Sequence, residues 1–427
     1  MTRLQLHWQI LIAMVLAVIA GFATGTDAGI AGVTFYSMYV FTGGLFLNAL
    51  KMLIVPLITA SIITGVAGMG TGDGFGRLGS KTVLYYFTTS LLAILTGLFF
   101  VNLIAPGIID GVPAGSLMGL EADVSSIVNN AQGRGASDFF TVFERMLPPN
   151  IFKAAADGQM LGIIVFSLIF AYYMVRIPDR YASVMTDFWQ AMMQIMLKIT
   201  ELVMKFAPIG VFALVAKVVA STGFSAIVPL ASFAATVFLA LLVHMIITLP
   251  LLLMFVGGVH PLRHFQAMFP ALMMAFSTSS SAATLPVTLD CVEKRAGVSN
   301  RVSSFVLPLG ATINMDGTAL YECVAVIFIA QAYGIDLSLG LQFLIVTTAL
   351  LTSVGVAGVP AASLVAIVVI LAAAGLPAEG IGLILAVDRI LDMCRTTVNI
   401  FSDSCGAVII ARSEGEQGVL EKVPAGQ

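Results

Sequence analysis

Residues 278–286 read TSSSAATLP and residues 352–360 read TSVGVAGVP. Both segments open with Thr-Ser, carry Ala at the sixth position and close with an aliphatic residue before Pro. Each lies between apolar segments that are too short to cross a bilayer separately, which predicts two re-entrant helical hairpins with small-residue tips. Matching interrupted segments are typical of inverted-repeat transporters, whose binding site lies near the middle of the membrane. A single such cluster would instead be attributed to the small residues common at transmembrane helix contacts.

The composition of the whole chain also indicates a membrane protein. Of its 427 residues, 59% are hydrophobic and 10% are charged, whereas a soluble domain carries roughly 25% charged residues. A water-soluble enzyme is therefore excluded. The formal net charge of −3 is spread along the chain without a basic block, so we expect no nucleic-acid partner.

Apolar runs recur along the first 260 residues, and a bilayer core of about 30 Å needs roughly 20 such residues as a helix. We place the runs at 8–25, 41–68, 82–105, 151–175, 186–219 and 226–257. The first run also resembles a signal peptide, but no polar mature domain follows it. Lys and Arg concentrate in segments that are cytoplasmic when the N terminus is inside, which predicts six spans with both ends of this region inside. These residues are Arg3, Arg77, Lys81, Arg176, Arg180, Arg263, Lys294, Arg295, Arg301, Arg412 and Lys422, against Arg134, Arg145 and Lys153 outside.

Residues 310–317, GATINMDG, interrupt an otherwise apolar stretch from 302 to 332. Asn314 and Asp316, flanked by Gly310 and Gly317, are expected to unwind a helix and free carbonyl oxygens beside a carboxylate. Hard cations such as Na⁺ prefer oxygen ligands of this kind, by the reasoning that applies to Ca²⁺ and Mg²⁺. The segment therefore predicts a cation site.

The last apolar segment carries Asp388, Asp392, Arg395, Asn399 and Asp403, whose spacing places them on one narrow helical stripe. An ionisable group at mid-bilayer costs about 2.5–3.5 kcal/mol on insertion scales, so the stripe must face protein or water. In one interpretation Arg395 pairs internally with Asp392, which leaves the other three residues unexplained. In the other, the Arg395 guanidinium binds a substrate carboxylate and Asp392 binds an ammonium, which fits an acidic amino acid.

These motifs resemble the dicarboxylate/amino acid:cation symporters, which include archaeal aspartate transporters, bacterial glutamate symporters and animal excitatory amino acid transporters. The likeness runs to about residue 412 and rests on the serine-rich tip with Leu285-Pro286, NMDGT at 314–318, Gly358-Val-Pro360 and DRILDMCRTTVN at 388–399. It implies an all-α integral membrane protein with eight transmembrane helices and two re-entrant hairpins, an inverted-repeat elevator transporter that forms a homotrimer in the plasma membrane, the inner membrane of a bacterium.

The domain organisation follows from the same likeness. Residues 1–260 would hold six spans and most of the scaffold and trimerisation portion. Residues 261–412 would form the core transport portion, made of hairpin 1, an unwound helix 7, hairpin 2 and helix 8. Residues 413–427 are rich in Glu and Gly and are predicted to form a disordered cytoplasmic tail.

The resemblance also implies a set of binding residues. Arg395 would bind the side-chain carboxylate of the substrate and Asp392 its amino group. Further substrate contacts are implied for Ser281, Thr318, Gly358, Val359, Thr396 and Asn399. Three Na⁺ sites are implied, formed by Gly310, Asn314, Asn399 and Asp403, by Thr312, Met315, Ser353, Val354 and Val356, and by Tyr86, Thr89, Ser90, Asn314 and Asp316. No cofactor beyond coupling ions is expected.

Glu322 leaves two interpretations open. It matches a glutamate that animal members associate with proton carriage, and desolvation favours the protonated form of a buried Glu. Alternatively, Glu322 is a structural acceptor bonded to a neighbouring helix.

The predicted function is symport of L-glutamate or L-aspartate with Na⁺ and, if Glu322 carries a proton, with H⁺. The alternatives are a proton-driven glutamate or C4-dicarboxylate symporter, a neutral amino acid carrier, or a channel. Dicarboxylate carriers typically lack aspartate at the position of Asp392, and neutral carriers lack arginine at that of Arg395. An intramembrane hydrolase is disfavoured because no GxSxG occurs. A serine nucleophile would also need a base, and the four histidines, His7, His244, His260 and His264, are expected to lie outside the predicted site.

Overall fold

The computed structural model describes residues 6–30, 32–67, 75–118, 144, 146–157, 159–223, 225, 227–355, 362–377 and 380–420. Within these ranges the chain is helical apart from two antiparallel β ribbons, β1 Gly29–Ile30 with β2 Val33–Thr34, and β3 Ile108–Ile109 with β4 Val112–Pro113. The first helices are α1 Leu6–Thr24, α2 Phe35–Ala67, α3 Phe75–Ile104, α4 Ile151–Ala156, α5 Met160–Met174, α6 Asp179–Lys205, α7 Ala207–Thr222, α8 Ile227–Val243 and α9 Leu249–Phe255. The remaining helices are α10 Pro261–Thr278, α11 Ser281–Asp290, α12 Asn300–Ile313, α13 Asp316–Ala332, α14 Leu339–Gly355, α15 Ala362–Ala374 and α16 Ile381–Ser413.

Several of these helices have the length and composition of membrane spans. Four qualify singly, namely α2, α3, the helix that runs from Val228 to Phe255 and the segment Asn300–Ala332. The pair α6 and α7, bent by 53°, adds a fifth. Shorter apolar helices cover Ile12–Thr24, Gly162–Met174, Leu339–Ser353 and Ser363–Ala374. This is the architecture of a helical multi-pass membrane protein.

Helix α13 is the centre of the described structure. All of its residues except Gln331 are buried, and it packs against α3, α14, α15 and α16. A helix that is apolar on every side is a core element. The polar groups that α13 carries, above all Asp316 and Glu322, are consequently sealed from solvent.

The two matching sequence segments fall at the turns between paired helices. Helix α10 ends at Thr278, Ser279 adopts the left-handed conformation with φ +50°, and the Ser280 hydroxyl caps α11 by accepting from the Ala283 N–H. Helices α14 and α15 pack against each other in the same way. The tip between them, with most of 352–360, lies outside the described residues.

The predicted interruption in 302–332 is present at Asn314 and Met315. Asn314 has φ −104° and ψ 99°, so α12 stops before it and α13 begins at Asp316. Gly310 and Gly317 do not unwind the chain as expected, since each lies inside a helix. Both positions need glycine because neither has room for a side chain. A Cβ on Gly310 would lie 2.5 Å from both Asp403 Oδ1 and the Tyr86 hydroxyl. A Cβ on Gly317 would lie 2.6 Å from the Arg395 carbonyl oxygen.

The prediction of a disordered tail from 413 onward is wrong for residues 413–420. Ser413 ends α16, and the Glu414 carboxylate accepts from Arg77 at 2.9 Å, Lys81 at 2.7 Å and Arg301 at 3.2 Å. Hydrogen bonds from Arg77 and Lys81 lower the pKa of Glu414 to about 2. The Leu420 N–H donates to the Ala296 carbonyl at 2.8 Å, and Leu420 is buried. Arg77, Lys81 and Arg301, three basic residues predicted to be cytoplasmic, thus meet at the carboxylate of Glu414. Residues 421–427 lie outside the described part.

Candidate substrate and cation site

Arg395 lies in the middle of α16 and is buried, with 1% of its side chain exposed. Its guanidinium carbon lies 3.9 Å from the centre of the Tyr321 ring on α13, a cation–π distance. Its Nη2 donates to Asp388 Oδ1 at 2.9 Å and to Asp392 Oδ1 at 3.0 Å. The internal pairing considered from the sequence therefore exists, and it includes Asp388 as well as Asp392.

This pairing uses one nitrogen of the guanidinium. Arg395 Nε and Nη1 are buried and have no hydrogen-bond partner among the described residues. Nε and Nη1 lie on different edges of the planar guanidinium, because Nη1 is cis to Cδ and the Nε–H points toward Nη2; together they carry three unpaired N–H donors. A buried cation with unpaired donors is suited to bind an anionic group, since leaving such donors without a partner is costly.

A second polar group surrounds the break between α12 and α13. Asn314 Nδ2 donates to Asp403 Oδ1 at 2.8 Å and to Ser402 Oγ at 3.1 Å. Asn314 Oδ1 is buried without a hydrogen-bond partner in the described structure. The break thus presents an unsatisfied amide oxygen close to the buried carboxylate of Asp403.

Asp316, the first residue of α13, is held by three side chains. Ser90 Oγ on α3 donates to Oδ1 at 2.7 Å, and Ser402 Oγ on α16 donates to Oδ2 at 2.6 Å. The third is His244, whose Nε2 lies 3.2 Å from Oδ2. His244 begins a π-helical turn, His244–Thr248, between α8 and α9, a feature frequent at functional sites. The expectation that all four histidines lie outside the site is wrong for His244.

Asn399 joins the cation group to the substrate group. Its Oδ1 accepts from the Gly317 N–H at 2.8 Å, and its Nδ2 donates to Thr318 Oγ1 at 3.3 Å. Asn399 lies four residues after Arg395 and four before Asp403 on α16, so the same helical face carries all three side chains. The two predicted sites are therefore parts of one assembly.

The buried carboxylates of this assembly lack basic partners. Asp316 and Asp403 are at most 1% exposed, and within the described ranges no Lys or Arg forms an ion pair with either; only His244 approaches Asp316. Buried anions need a counter-charge or protonation. The arrangement is suited to small cations bound by carboxylate, amide, hydroxyl and carbonyl oxygens.

A profile of the sodium:dicarboxylate symporter family matches residues 6–413. The chain belongs to this family. It is 34% identical over 412 residues to the proton/glutamate-aspartate symporter of Escherichia coli (strain K12), covering 96% of this chain and 93% of that protein. It is 35% identical to the proton/sodium-glutamate symport protein of Bacillus caldotenax, covering 97% and 96% of the two chains. It is also 35% identical to excitatory amino acid transporter 3 of Mus musculus, covering 96% and 86%.

Glu322 lies two turns into α13 of this symporter and is fully buried. Its Oε2 lies 3.3 Å from Thr352 Oγ1 on α14, and its Oε1 has no partner among the described residues. The Thr352 hydroxyl also lies 2.8 Å from the Thr348 carbonyl oxygen. A hydroxyl has one proton to donate, so Glu322 Oε2 shares the Thr352 donor with the backbone of α14 and is only weakly held.

The third predicted Na⁺ set of the symporter comes together in part. Tyr86, Thr89 and Ser90 share α3, and Ser90 contacts Asp316 directly. The Tyr86 hydroxyl donates to the Val306 carbonyl at 2.7 Å, while the Thr89 hydroxyl donates to the Tyr86 carbonyl at 3.2 Å. These two hydroxyls thus have their own partners, and the link of α3 to the break is made by Ser90.

The remaining predicted ligands are not joined to either group by a hydrogen bond in the described residues. Ser281 begins α11 and is partly exposed, and Thr396 is buried beside Arg395. The Thr312 hydroxyl donates to the Leu309 carbonyl at 2.8 Å and the Ser353 hydroxyl to the Leu350 carbonyl at 2.9 Å. Met315 occupies the break, and Val354 lies in the last turn of α14. Val356, Gly358 and Val359 lie outside the described residues, so the second Na⁺ set and the hairpin-2 contacts stay predictions.

Sequence reasoning missed four participants of the site: Asp388 as a partner of Arg395, Arg389, Ser402 and His244. Asp388 was assigned to the charged stripe without a role, and Arg389 stands inside the DRILDMCRTTVN motif. Ser402 precedes Asp403 and was detectable as one more polar residue on that helix. His244 gave no local signal beyond being a lone polar residue in an apolar run.

Proposed function

We propose that this protein is a secondary active symporter that takes up L-glutamate or L-aspartate with Na⁺, and with H⁺ carried by Glu322. The observation that carries the proposal is the presence, in one buried assembly, of unpaired Arg395 donors and of carboxylates that lack a Lys or Arg partner among the described residues. An anionic substrate and cations complement these charges, so neither is expected to bind well without the other. Such a mutual requirement is the thermodynamic basis of symport.

In the substrate-bound carrier, the Arg395 guanidinium binds the side-chain carboxylate of the amino acid through donors that have no partner in the structure. Asp392 binds the ammonium, and Thr318, Thr396, Asn399 and Ser281 supply further hydrogen bonds. Arg395 needs no large movement to do this, since Asp388 and Asp392 already hold Nη2 and the Tyr321 ring supports the guanidinium plane. Gly358 and Val359 complete the site from the tip of the second hairpin.

Sodium binds at the break between α12 and α13. Asn314, Asn399 and Asp403, with the Gly310 carbonyl, form one site, and Asp316 with Asn314, Ser90, Thr89 and Tyr86 forms another. A third uses Thr312, Met315, Ser353, Val354 and Val356. The unsatisfied Asn314 Oδ1 and the unpaired charge of Asp403 support the first of these most directly. The cations of the first two sites neutralise Asp403 and Asp316, which are buried without a Lys or Arg partner among the described residues.

The proposal includes the remaining properties that the family resemblance implies. The carrier is a homotrimer in a bacterial inner membrane with both termini in the cytoplasm. Most of the first 260 residues form the fixed scaffold, and residues 261–412 form a transport unit that moves across the membrane as an elevator. The second hairpin, α14 and α15, acts as the outer gate.

A proton-driven glutamate or aspartate symporter is the second candidate, because the E. coli relative is named for proton coupling alone and Glu322 is placed to carry a proton. The experiment that separates the two is uptake of radiolabelled L-glutamate and L-aspartate into proteoliposomes. One arm uses an inward Na⁺ gradient and the other a proton gradient in sodium-free buffer. We expect uptake to require Na⁺. Uptake at full rate without Na⁺ would overturn sodium coupling, and no uptake in either arm would overturn the transport assignment.

A further inference from the structure

Asp392 has a second basic partner that the proposed binding mode does not use. Arg389 Nη1 lies 3.4 Å from Asp392 Oδ2, while Arg395 Nη2 lies 3.0 Å from Asp392 Oδ1. Each carboxylate oxygen of Asp392 therefore already has an arginine beside it. A substrate ammonium that binds Asp392 competes with these arginines for the same carboxylate.

The two contacts differ in strength. Arg395 is buried, stacks on Tyr321 and holds Asp388 as well, so several contacts besides Asp392 fix its position. The Arg389 side chain is 23% exposed, and its contact is longer than the usual 2.7–3.2 Å of an N–H···O hydrogen bond. The Asp392 side chain is itself 34% exposed, and exposed ion pairs contribute little. Arg389 is the partner that yields.

The positions on α16 allow this exchange. Residues three apart on a helix are neighbours, so Asp392 lies between Arg389 on one side and Arg395 on the other. When Arg389 leaves, its long side chain has solvent-accessible space available, because the pair is partly exposed. Arg395 stays in place, and its Nε and Nη1, which have no partner among the described residues, remain available to the substrate carboxylate.

We infer that Arg389 is a specificity-determining residue that competes with the substrate ammonium for Asp392 Oδ2. This inference rests on the proposed function and deepens it. An amino acid must displace Arg389. A C4-dicarboxylate without an amino group brings no cation for Oδ2, so Arg389 keeps its contact and neutralises Asp392 beside the dianion. Arg389 thereby reduces the difference in binding affinity between L-aspartate and succinate.

The test measures binding of L-aspartate and succinate to the full-length purified carrier in Na⁺ buffer. Radiolabelled L-aspartate is displaced by unlabelled L-aspartate or succinate, and the ratio of the two dissociation constants is compared between wild type, Arg389→Gln and Arg389→Lys. Exposed ion pairs shift equilibria by up to about fivefold, so Arg389→Gln should lower the dissociation constant of L-aspartate about two- to fivefold. It should also weaken succinate, because Asp392 is then an uncompensated anion. Arg389→Lys keeps a cation and should stay near the wild-type ratio.

Two further variants make the result decisive. Arg389→Ala, a second neutral variant, must agree with Arg389→Gln, and Arg180→Gln, an exposed arginine on α6, should change neither constant. An unchanged or lower preference for L-aspartate in the neutral variants would overturn the inference. A wild-type protein that binds neither ligand in Na⁺ would overturn the proposed function and this inference with it. A protein that binds both ligands while the neutral variants leave the ratio unchanged would overturn only the role of Arg389.

Discussion

Replacing Arg395 by Lys tests whether the unpaired donors of the guanidinium bind the substrate carboxylate. Nη2 of Arg395 holds Asp388 and Asp392, whereas Nε and Nη1 have no partner among the described residues. A lysine has a single nitrogen at the end of a flexible chain. It can stay with the two aspartates or move to a substrate carboxylate, but it has no second nitrogen with which to do both.

The magnitude follows from the number of hydrogen bonds lost. A hydrogen bond to a charged group contributes about 1.5–3 kcal/mol. Arginine has two unpaired nitrogens besides Nη2, whereas the single lysine nitrogen must be shared with Asp388 and Asp392, so the substrate loses at least one such bond. At about 1.4 kcal/mol per tenfold, we expect L-aspartate to bind at least tenfold more weakly, and about 100-fold if the lysine nitrogen remains with Asp388 and Asp392.

The assay is equilibrium binding of radiolabelled L-aspartate in saturating Na⁺, with the melting temperature measured on the same samples. Arg412→Lys is the matched control, because it makes the same change on the same helix 17 residues further on, away from Arg395. The melting temperature of Arg395→Lys should remain close to that of the wild type, since the aspartates keep a cationic partner. A dissociation constant for L-aspartate within threefold of the wild-type value would refute the assignment of the unpaired Arg395 donors to the substrate carboxylate.

Four further predictions follow from the same contacts. Arg395→Cys should abolish binding of acidic substrates and admit neutral amino acids such as serine, which competition by L-serine measures; retained L-glutamate binding would contradict this. Asp403→Asn should raise the Na⁺ concentration for half-maximal uptake about tenfold or more, because it removes the only formal charge of one cation site; aspartate-over-glutamate selectivity should change little. Glu322→Gln should abolish the pH dependence of net uptake while leaving L-aspartate binding largely intact, and a persisting pH dependence would exclude Glu322 as the proton carrier. Glu414→Gln should lower the melting temperature at pH 7. The pKa of Glu414 is depressed from its ordinary 4.5 to about 2, so its contribution is full above pH 4.5 and is lost toward pH 2. The difference in melting temperature between the wild type and Glu414→Gln should therefore shrink as the pH falls from 4.5 toward 2.

The parts of the site that the sequence predicted share one property: their signal is local. The break at Asn314 and Met315 follows from polar residues within an apolar run, and the stripe from Asp388 to Asp403 follows from helical spacing. The first hairpin turn follows from Ser280, which caps the next helix. In each instance, the residues that define the feature lie within about 16 positions of one another.

The parts that the sequence did not predict depend on contacts between distant segments. His244 reaches Asp316 across 72 residues, through a π-helical turn for which the local sequence gives no rule. Glu414 meets Arg77 and Lys81 across more than 330 residues. A tail rich in Glu and Gly has a disordered composition, and its partners lie far away in the sequence: the basic residues at the starts of α3 and α12, the Ser299 N–H and the Ala296 carbonyl. Composition describes the segment alone, whereas its order is determined by what it packs against.

Asn399 explains why ion and substrate binding depend on each other in this arrangement. Its carbonyl oxygen is fixed by the Gly317 N–H and its amide contacts Thr318, a predicted substrate ligand. Gly317 and Thr318 directly follow the break whose Asn314 and Asp316 are predicted Na⁺ ligands, so a cation that orders the break also fixes the position of Thr318. Conversely, a substrate that binds Thr318 and Asn399 restricts the break before any ion arrives. Because coupling of this kind is reciprocal, whatever factor Na⁺ adds to substrate affinity the substrate must add to Na⁺ affinity. In the proposed function, Asn399 is the residue that joins the two sets of ligands by direct hydrogen bonds.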